Sequence, residues 1–235
     1  MTYLVLPTDE IRRLSFYLAM EEYVARTYPP ADYLFLWQVA PSVIFGRNQQ
    51  LESEVNQEYC RQHGIQMYRR KSGGGCVYAD LSNIMISYIS ADSQVGVVFH
   101  RFVNMLLLVL GKMGIQATST SHNDVLIDGR KVSGTAFYHL PNRSIVHGTL
   151  LYDTDMENML GAITPSAEKL QQKGIQSVRQ RITLLKDHVS LSLDEVKATI
   201  RQTLCNGESC LSFIEVVAIE QLEQQYLKEE FIHLI

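Results

Sequence analysis

Metal-site and disulfide patterns are nearly absent from this chain. Its four cysteines, Cys60, Cys76, Cys205 and Cys210, form no CxxC pair and have no histidine at zinc-site spacing. No signal-peptide pattern opens the sequence, so reduced thiols in a cytoplasm are the simplest expectation. Long hydrophobic runs are missing too. The longest, Met105 to Leu110, is far too short to span a bilayer, so no membrane partner is expected. Nor is there an excess of positive charge: 21 Lys and Arg stand against 25 Asp and Glu, a net charge of −4. That balance speaks against general nucleic-acid binding. Repeats, low-complexity tracts and Pro- or Gly-rich linkers are also wanting. What remains is 235 residues, 46% hydrophobic and 20% charged, expected to form one domain over residues 1–235.

Positive charge and glycine are instead concentrated in one place. Arg69-Arg70-Lys71 runs into Ser72-Gly73-Gly74-Gly75, and Cys76-Val77-Tyr78 continues as a strand-like segment. Glycines let backbone approach a ligand closely, and successive backbone N–H groups in such a turn form an anion-binding concavity. The flanking cations would add charge for a phosphate or carboxylate. The loop is not a Walker A motif, because no Gly-Lys-Ser/Thr follows, and its glycines lack dinucleotide-fingerprint spacing. A serine nucleophile elbow is absent as well.

The order of elements reads as mixed α and β. A strand at Tyr3 to Leu6 precedes a helix capped near Thr8 or Asp9. Strands Tyr33 to Val39 and Ser42 to Arg47 read as a hairpin around Ala40-Pro41. A polar helix, Glu52 to His63, stops at Gly64, and the strand Ile65 to Arg70 delivers the glycine loop. Val77-Tyr78 and Ile84 to Ile89 read as strands, and Val97 to Met113 as an apolar helix packed on a sheet. Ser144 to Tyr152 is a strand carrying His147-Gly148-Thr149, where a lone histidine is more often structural than catalytic. Asp153, Asp155 and Glu157 fit a helix N-terminus better than a calcium loop. Ser192 and Glu195 form a capping box for a helix to about Leu204. Phe213 to Ile219 suggests a strand, and Glu220 to Ile232 a terminal helix.

Asp128-Gly129 is the preferred pair for a two-residue type I′ hairpin turn. Regular pairing then sets Ile127 opposite Arg130, Leu126 opposite Lys131, Val125 opposite Val132, and Asp124 opposite Ser133. Alternation places Val125, Ile127, Val132 and Arg130 toward the core, with Asp124, Leu126, Lys131 and Ser133 on the other face. An acid and an amine thus stand roughly 7–8 Å apart, close enough to serve one ligand. These groups suit an enzyme that activates a carboxylic acid with ATP. Lys131 would act as a point charge on the α-phosphate, Asp124 would hold Mg2+, and the glycine backbone would approach nucleotide or acyl chain. Other anion-binding designs fit the same residues.

From about Phe16 to Arg181 the chain resembles the lipoate–protein ligase A family, in the biotin/lipoate ligase superfamily. The resemblance rests on Leu18-Ala19-Met20-Glu21-Glu22, Leu34-Phe35-Leu36-Trp37, Ile44-Phe45-Gly46-Arg47, Arg69 to Asn83, Asn123-Asp124-Val125, Arg130 to Gly134, His147-Gly148-Thr149-Leu150 and Lys173 to Arg181. It implies an α+β fold like that of class II aminoacyl-tRNA synthetase and biotin synthetase catalytic domains, a mixed, mostly antiparallel sheet packed with helices. It implies Lys131 as the catalytic residue. Lipoyl and adenylate contacts would come from Arg70, Ser72, Gly73, Gly74, Gly75, Cys76, Asn123, Asp124, Ser133, Gly134, His147 and Gly148. The implied reaction uses ATP, Mg2+ and lipoate to form lipoyl-AMP, then modifies a lysine on an apo lipoyl domain of a 2-oxoacid dehydrogenase complex or the glycine cleavage H protein.

Ala79, Ser82, His122 and Cys76 depart from the usual family pattern of His, Gly, Arg and Ala. Cys76 suits a small buried thiol, since the related octanoyltransferases carry their nucleophilic cysteine elsewhere. The family's C-terminal accessory domain has no counterpart before Ile235. The chain would then adenylate alone, work with a separate accessory protein, or act as a lipoyl or octanoyl transferase fed by a preactivated donor.

Overall fold

Strand β6 shows how the molecule is layered, because every residue from Asn83 to Ser90 is buried. A strand can be buried throughout only when both sheet faces are covered. The computed structural model describes residues 1–120, 124–163 and 181–233. The first elements are β1 (Thr2–Val5), α1 (Leu14–Thr27), β2 (Tyr33–Trp37), β3 (Ser42–Phe45), α2 (Leu51–Glu54), α3 (Gln57–Gln62), β4 (Gln66–Arg69), β5 (Val77–Ala79) and β6 (Asn83–Ser90). There follow α4 (Val95–Lys112), β7 (Ala117–Ser119), β8 (Val125–Ile127), β9 (Arg130–Leu140), β10 (Arg143–Leu151), α5 (Met156–Ala162) and a 3-10 turn (Leu185–Asp187). The chain closes with α6 (Leu193–Leu204), β11 (Gly207–Cys210), α7 (Phe213–Glu223) and α8 (Glu229–His233).

Eight strands form one mixed sheet in the order β11-β1-β2-β6-β10-β9-β8-β7. Its β11-β1 and β1-β2 pairings are parallel and the rest antiparallel. A smaller sheet, β4-β3-β5, carries the glycine loop between β4 and β5. Side-chain alternation sorts the residues of the large sheet into two cores. Phe35, Met85 and Ile145 face α1 and α7, while Leu34, Ile86 and Val146 face α4 and α6. A third core, with Val43, Phe45 and Cys60, fills the space between the small sheet, α3 and α5. The α+β expectation holds. By length and composition α4 could cross a membrane. Here its Val98, Phe102, Leu106 and Leu110 are buried against the sheet.

Several local expectations give way to tertiary structure. Strands β2 and β3 are not a hairpin, for β2 is already flanked by β1 and β6 and has no edge to offer. The helix expected at Glu52 to His63 is two helices, broken where Val55 bridges Ile163 and Asn56 caps α3. Helix α1 starts at Leu14 with no side-chain cap, and Thr8 and Asp9 lie in the preceding loop. The strand expected at Phe213 to Ile219 is the helix α7. Ser212 and Glu215 form a capping box there, a signal identical in kind to Ser192 and Glu195. The terminal helix shrinks to Glu229–His233.

Candidate functional site

Cross-strand register builds the floor of the site. On the α1 face of the large sheet, Phe35, Ser87, His147 and Ala136 lie side by side across β2, β6, β10 and β9. Two residues along, the next row is Trp37, Met85, Thr149 and Gly134. Above them lies a cavity of about 130 Å3, roofed by Leu18, Ile44 and the glycine loop, with Lys131 at one end. A larger groove of about 640 Å3 runs between the β1-β2 seam and α6, but neither Lys131 nor the loop borders it. The candidate site is the smaller cavity, where amine, glycines and apolar walls converge.

Lys131 reaches this cavity because of a β-bulge. Asp128 and Gly129 both have positive φ, 49° and 72°, so the type I′ turn forms as expected. Ile127 pairs with Arg130 and Leu126 with Lys131, but Val125 then pairs with Ser133 rather than Val132. The extra residue reverses the alternation. Val132 and Ser133 are both buried, Val132 in the α4 core and Ser133 opposite Leu150 of that core. Ser133 is therefore not part of the cavity. Lys131 instead shares the cavity face with Gly134, and a methyl on Gly134 would lie 2.8 Å from its Nζ. The ammonium also donates to Asp124 Oδ1 at 2.8 Å, with Lys131 41% and Asp124 29% exposed. Thr183 N–H donates to Lys131 O at 2.9 Å, which holds the strand from outside.

The basic loop is wired differently from expectation. Arg69 donates to the carbonyl oxygens of Gly46, Arg47, Gln49 and Ile232. Arg70 donates to those of Ile44, Gly73 and Gly75, at 2.7–3.1 Å. Burial pushes its guanidinium pKa down to about 10. Lys71 Nζ donates to Glu22 at 2.6 Å. The three cations thus organise the loop and do not form an open anion cradle. Gly46 and Gly74 complete it, for a Cβ on Gly46 would meet Gly74 O at 2.2 Å.

Beneath the loop runs a buried polar chain. Trp37 Nε1 donates to Ser87 Oγ at 2.8 Å, and Ser87 Oγ donates to Glu21 Oε1 at 2.5 Å. His147 Nδ1 lies 3.0 Å from Glu21 Oε2, and its Nε2 lies 2.9 Å from Ser72 Oγ. With Glu21 accepting, the consistent assignment has Nδ1–H donating to it and Ser72 O–H donating to Nε2. His147 therefore ties the loop to the sheet, the structural role more usual for a strand histidine. Replacing it by Ala would strand the Ser72 hydroxyl and one edge of Glu21 in the interior. The expected loss of stability is about 2–3 kcal/mol. Urea unfolding should show it, with partial recovery in His147→Gln. An alanine variant within about 0.5 kcal/mol of the parent would show that the chain contributes nothing.

The structure thus gathers Arg70, Gly74, Gly75, Cys76, Lys131, Gly134, His147 and Gly148 around one cavity. Ser72 and Asp124 sit one contact behind, on His147 and Lys131. Gly73 contributes its carbonyl oxygen to Arg70. Asn123 and His122 lie outside the described residues, as does Lys173 to Gln180. Gly148 lacks a side chain because Phe102 packs there, 3.0 Å from where a Cβ would be. Burial raises the Cys76 thiol to about 12, so it is no thiolate nucleophile. Sequence reasoning named the segments of Trp37, Glu21 and Glu22 without giving them roles. The usable signals were the single Trp of the chain and two acids on an otherwise buried helix face.

A family model described as the lipoyl protein ligase A/B catalytic domain matches residues 14–205. Lipoate–protein ligase 1 of Staphylococcus aureus is 37% identical over 193 residues, which are 80% of this chain and 58% of that protein. The chain therefore spans under three fifths of that curated relative's length. Among solved structures, a bipartite lipoate protein ligase from Thermoplasma acidophilum, studied with its E2 lipoyl domain, superposes with a TM-score of 0.87. The two are 26% identical, and the match covers 99% of this chain and 95% of that one. A lipoate-protein ligase A bound with ATP has the same fold, with a TM-score of 0.85, 24% identity and coverage of 100% and 99%.

Proposed function

The chain belongs to the lipoyl protein ligase A/B catalytic-domain family, and from that membership we propose that it is an ATP-dependent lipoate–protein ligase. The observation that carries the reading is the Lys131 ammonium over Gly134, at one end of an apolar cavity roofed by the glycine loop. Lipoate would lie with its apolar body between Leu18, Trp37 and Met85 and its carboxylate toward Lys131. In the first step a carboxylate oxygen bonds the α-phosphorus of ATP, the α–β anhydride bond breaks, and pyrophosphate leaves. Lys131 would offset the negative charge that gathers on the α-phosphoryl oxygens. In the second, the amine of an acceptor lysine bonds the acyl carbon, the acyl–phosphate bond breaks, AMP leaves, and the amine loses a proton. Lys131 remains beside the departing phosphate.

Among the described residues no three metal-ligating side chains cluster. Mg2+ keeps waters and takes one or two carboxylates plus phosphate oxygens in such sites. Asp124 fits that role as the carboxylate paired with Lys131 among the described residues, and the ion would supply further charge neutralisation at the phosphates. The relatives' names support lipoyl domains as acceptors. We extend this to apo lipoyl domains of 2-oxoacid dehydrogenase complexes or the H protein, modified in the cytoplasm.

The test incubates the purified chain with lipoate, Mg-ATP and an apo lipoyl domain, and repeats it with synthetic lipoyl-AMP. Mass spectrometry should show lipoylation in both, with pyrophosphate released in the first. Modification from lipoyl-AMP alone would replace the ligase by a transferase. No modification in either would reject acyl transfer altogether.

A further inference from the structure

The family model matches residues 14–205, yet the segment from Gln224 to His233 touches both the glycine loop, at Lys71, and the end of β4 that leads into it, at Arg69. Tyr226 is 3% exposed, and its hydroxyl donates to Glu22 Oε2 at 2.8 Å. The same oxygen accepts from Lys71 Nζ at 2.6 Å, and that ammonium lies 4.6 Å from the centre of the Tyr226 ring. Six residues on, Ile232 O accepts from Arg69 Nε at 2.9 Å. The ring of Tyr226 is seated edge-on against Phe231, with centroids 5.6 Å apart. Burial opposes ionisation of Glu22, but hydrogen bonds from Lys71, Tyr226 and Arg26 outweigh it and hold its pKa below the usual range. Two anchors of the loop, Arg69 at the end of β4 and Lys71 just beyond Arg70, therefore have partners in this segment. Lys71 is the last side chain but one before the three glycines.

We propose that Tyr226 is a positioning residue for acid binding: through Glu22 it fixes Lys71, and segment 224–233 is a strap that preforms the glycine loop over the acyl cavity. Ring and hydroxyl act on the same ammonium–carboxylate pair, one from its face and the other at the shared oxygen. The loop's three glycines have few means of ordering themselves, since each leaves the backbone with maximal freedom. The strap removes that freedom before lipoate arrives, which lowers the ordering cost of binding. The substrate assignment rests on the ligase reading, whereas loop ordering does not.

The experiment compares the full chain with Tyr226→Phe, which keeps the ring, and Tyr226→Leu, which loses ring and hydroxyl. Ile214→Ser, on the exposed face of α7, is the control. Hydrogen exchange of residues 70–76 should quicken about tenfold in Tyr226→Phe and further in Tyr226→Leu, as for a lost hydrogen bond to a buried charge. The lipoate KM should rise by a similar factor while kcat stays within about twofold. The control should match the parent. Unchanged loop exchange in both variants overturns the strap. So does a fall in melting temperature with KM and exchange unaltered. If the parent neither binds nor transfers lipoate, the ligase reading fails, while exchange still decides the strap.

Discussion

Lys131→Ala should lower lipoylation of an apo lipoyl domain by about 10²–10³-fold or more, the scale seen when one preorganised charge or donor at a reacting centre is removed. Among the described residues that line the cavity, Lys131 is the cation not committed to loop carbonyl oxygens, whereas Arg70 donates to those of Ile44, Gly73 and Gly75. Stability should hardly move. Lys131 and Asp124 are 41% and 29% exposed, and such an ion pair contributes at most about 1 kcal/mol. Lys131→Arg should not restore the rate, for a planar fork cannot occupy the space of an ammonium packed on Gly134. Single-turnover transfer from lipoyl-AMP, read alongside pyrophosphate release, assigns the loss to one step or both. Turnover within threefold of the parent in the folded alanine variant would sink the mechanism.

The second large effect is expected from a single methyl. In Gly134→Ala the new Cβ would stand 2.8 Å from Nζ and 2.9 Å from Cε of Lys131. The obstacle is the far end of a flexible side chain, so the lysine yields and strand β9 stays. Alanine is also the better strand residue by about 0.5–1 kcal/mol, and the fold should be unharmed or slightly firmer. Displacing a reacting group by an ångström costs on the order of 10²-fold in rate. We expect a loss of that size with lipoate affinity nearly intact. The measurement is kcat and lipoate binding side by side. A variant as fast as the parent would show that the seat over Gly134 is not the working position of the amine.

The two variants test one arrangement from opposite sides, and much of it can be read from local sequence. Asp128-Gly129 dictates its turn because both residues must take positive φ, which few residue types tolerate. The capping boxes at Ser192 and Ser212 are equally local, and the second starts α7 where the apolar run alone suggests a strand. The run Phe213 to Ile219 is apolar enough for a strand, but the Ser212 and Glu215 capping box makes it a helix. The exposed Phe213, Ile214 and Val217 show that burial does not explain that run.

By itself, then, the sequence determined the α+β class, the Asp128-Gly129 hairpin, the glycine loop between two strands, and Lys131 as the amine near Asp124. Tertiary structure decided which way those groups face. Regular alternation put Lys131 with Ser133, and the bulge at Val125 put it with Gly134 instead. Nothing within a few residues signals that slip, because it is settled by Val132 entering the α4 core while Ser133 pairs with Leu150. The fate of Arg69, Arg70 and Lys71 was hidden for the same reason. A guanidinium binds whichever carbonyl oxygens the fold brings near. These came from Ile44, Gly46, Gln49 and Ile232, as far as 163 residues away in the chain. Backbone preference is short-ranged and legible, whereas the sharing of donors among acceptors is a property of the packed chain.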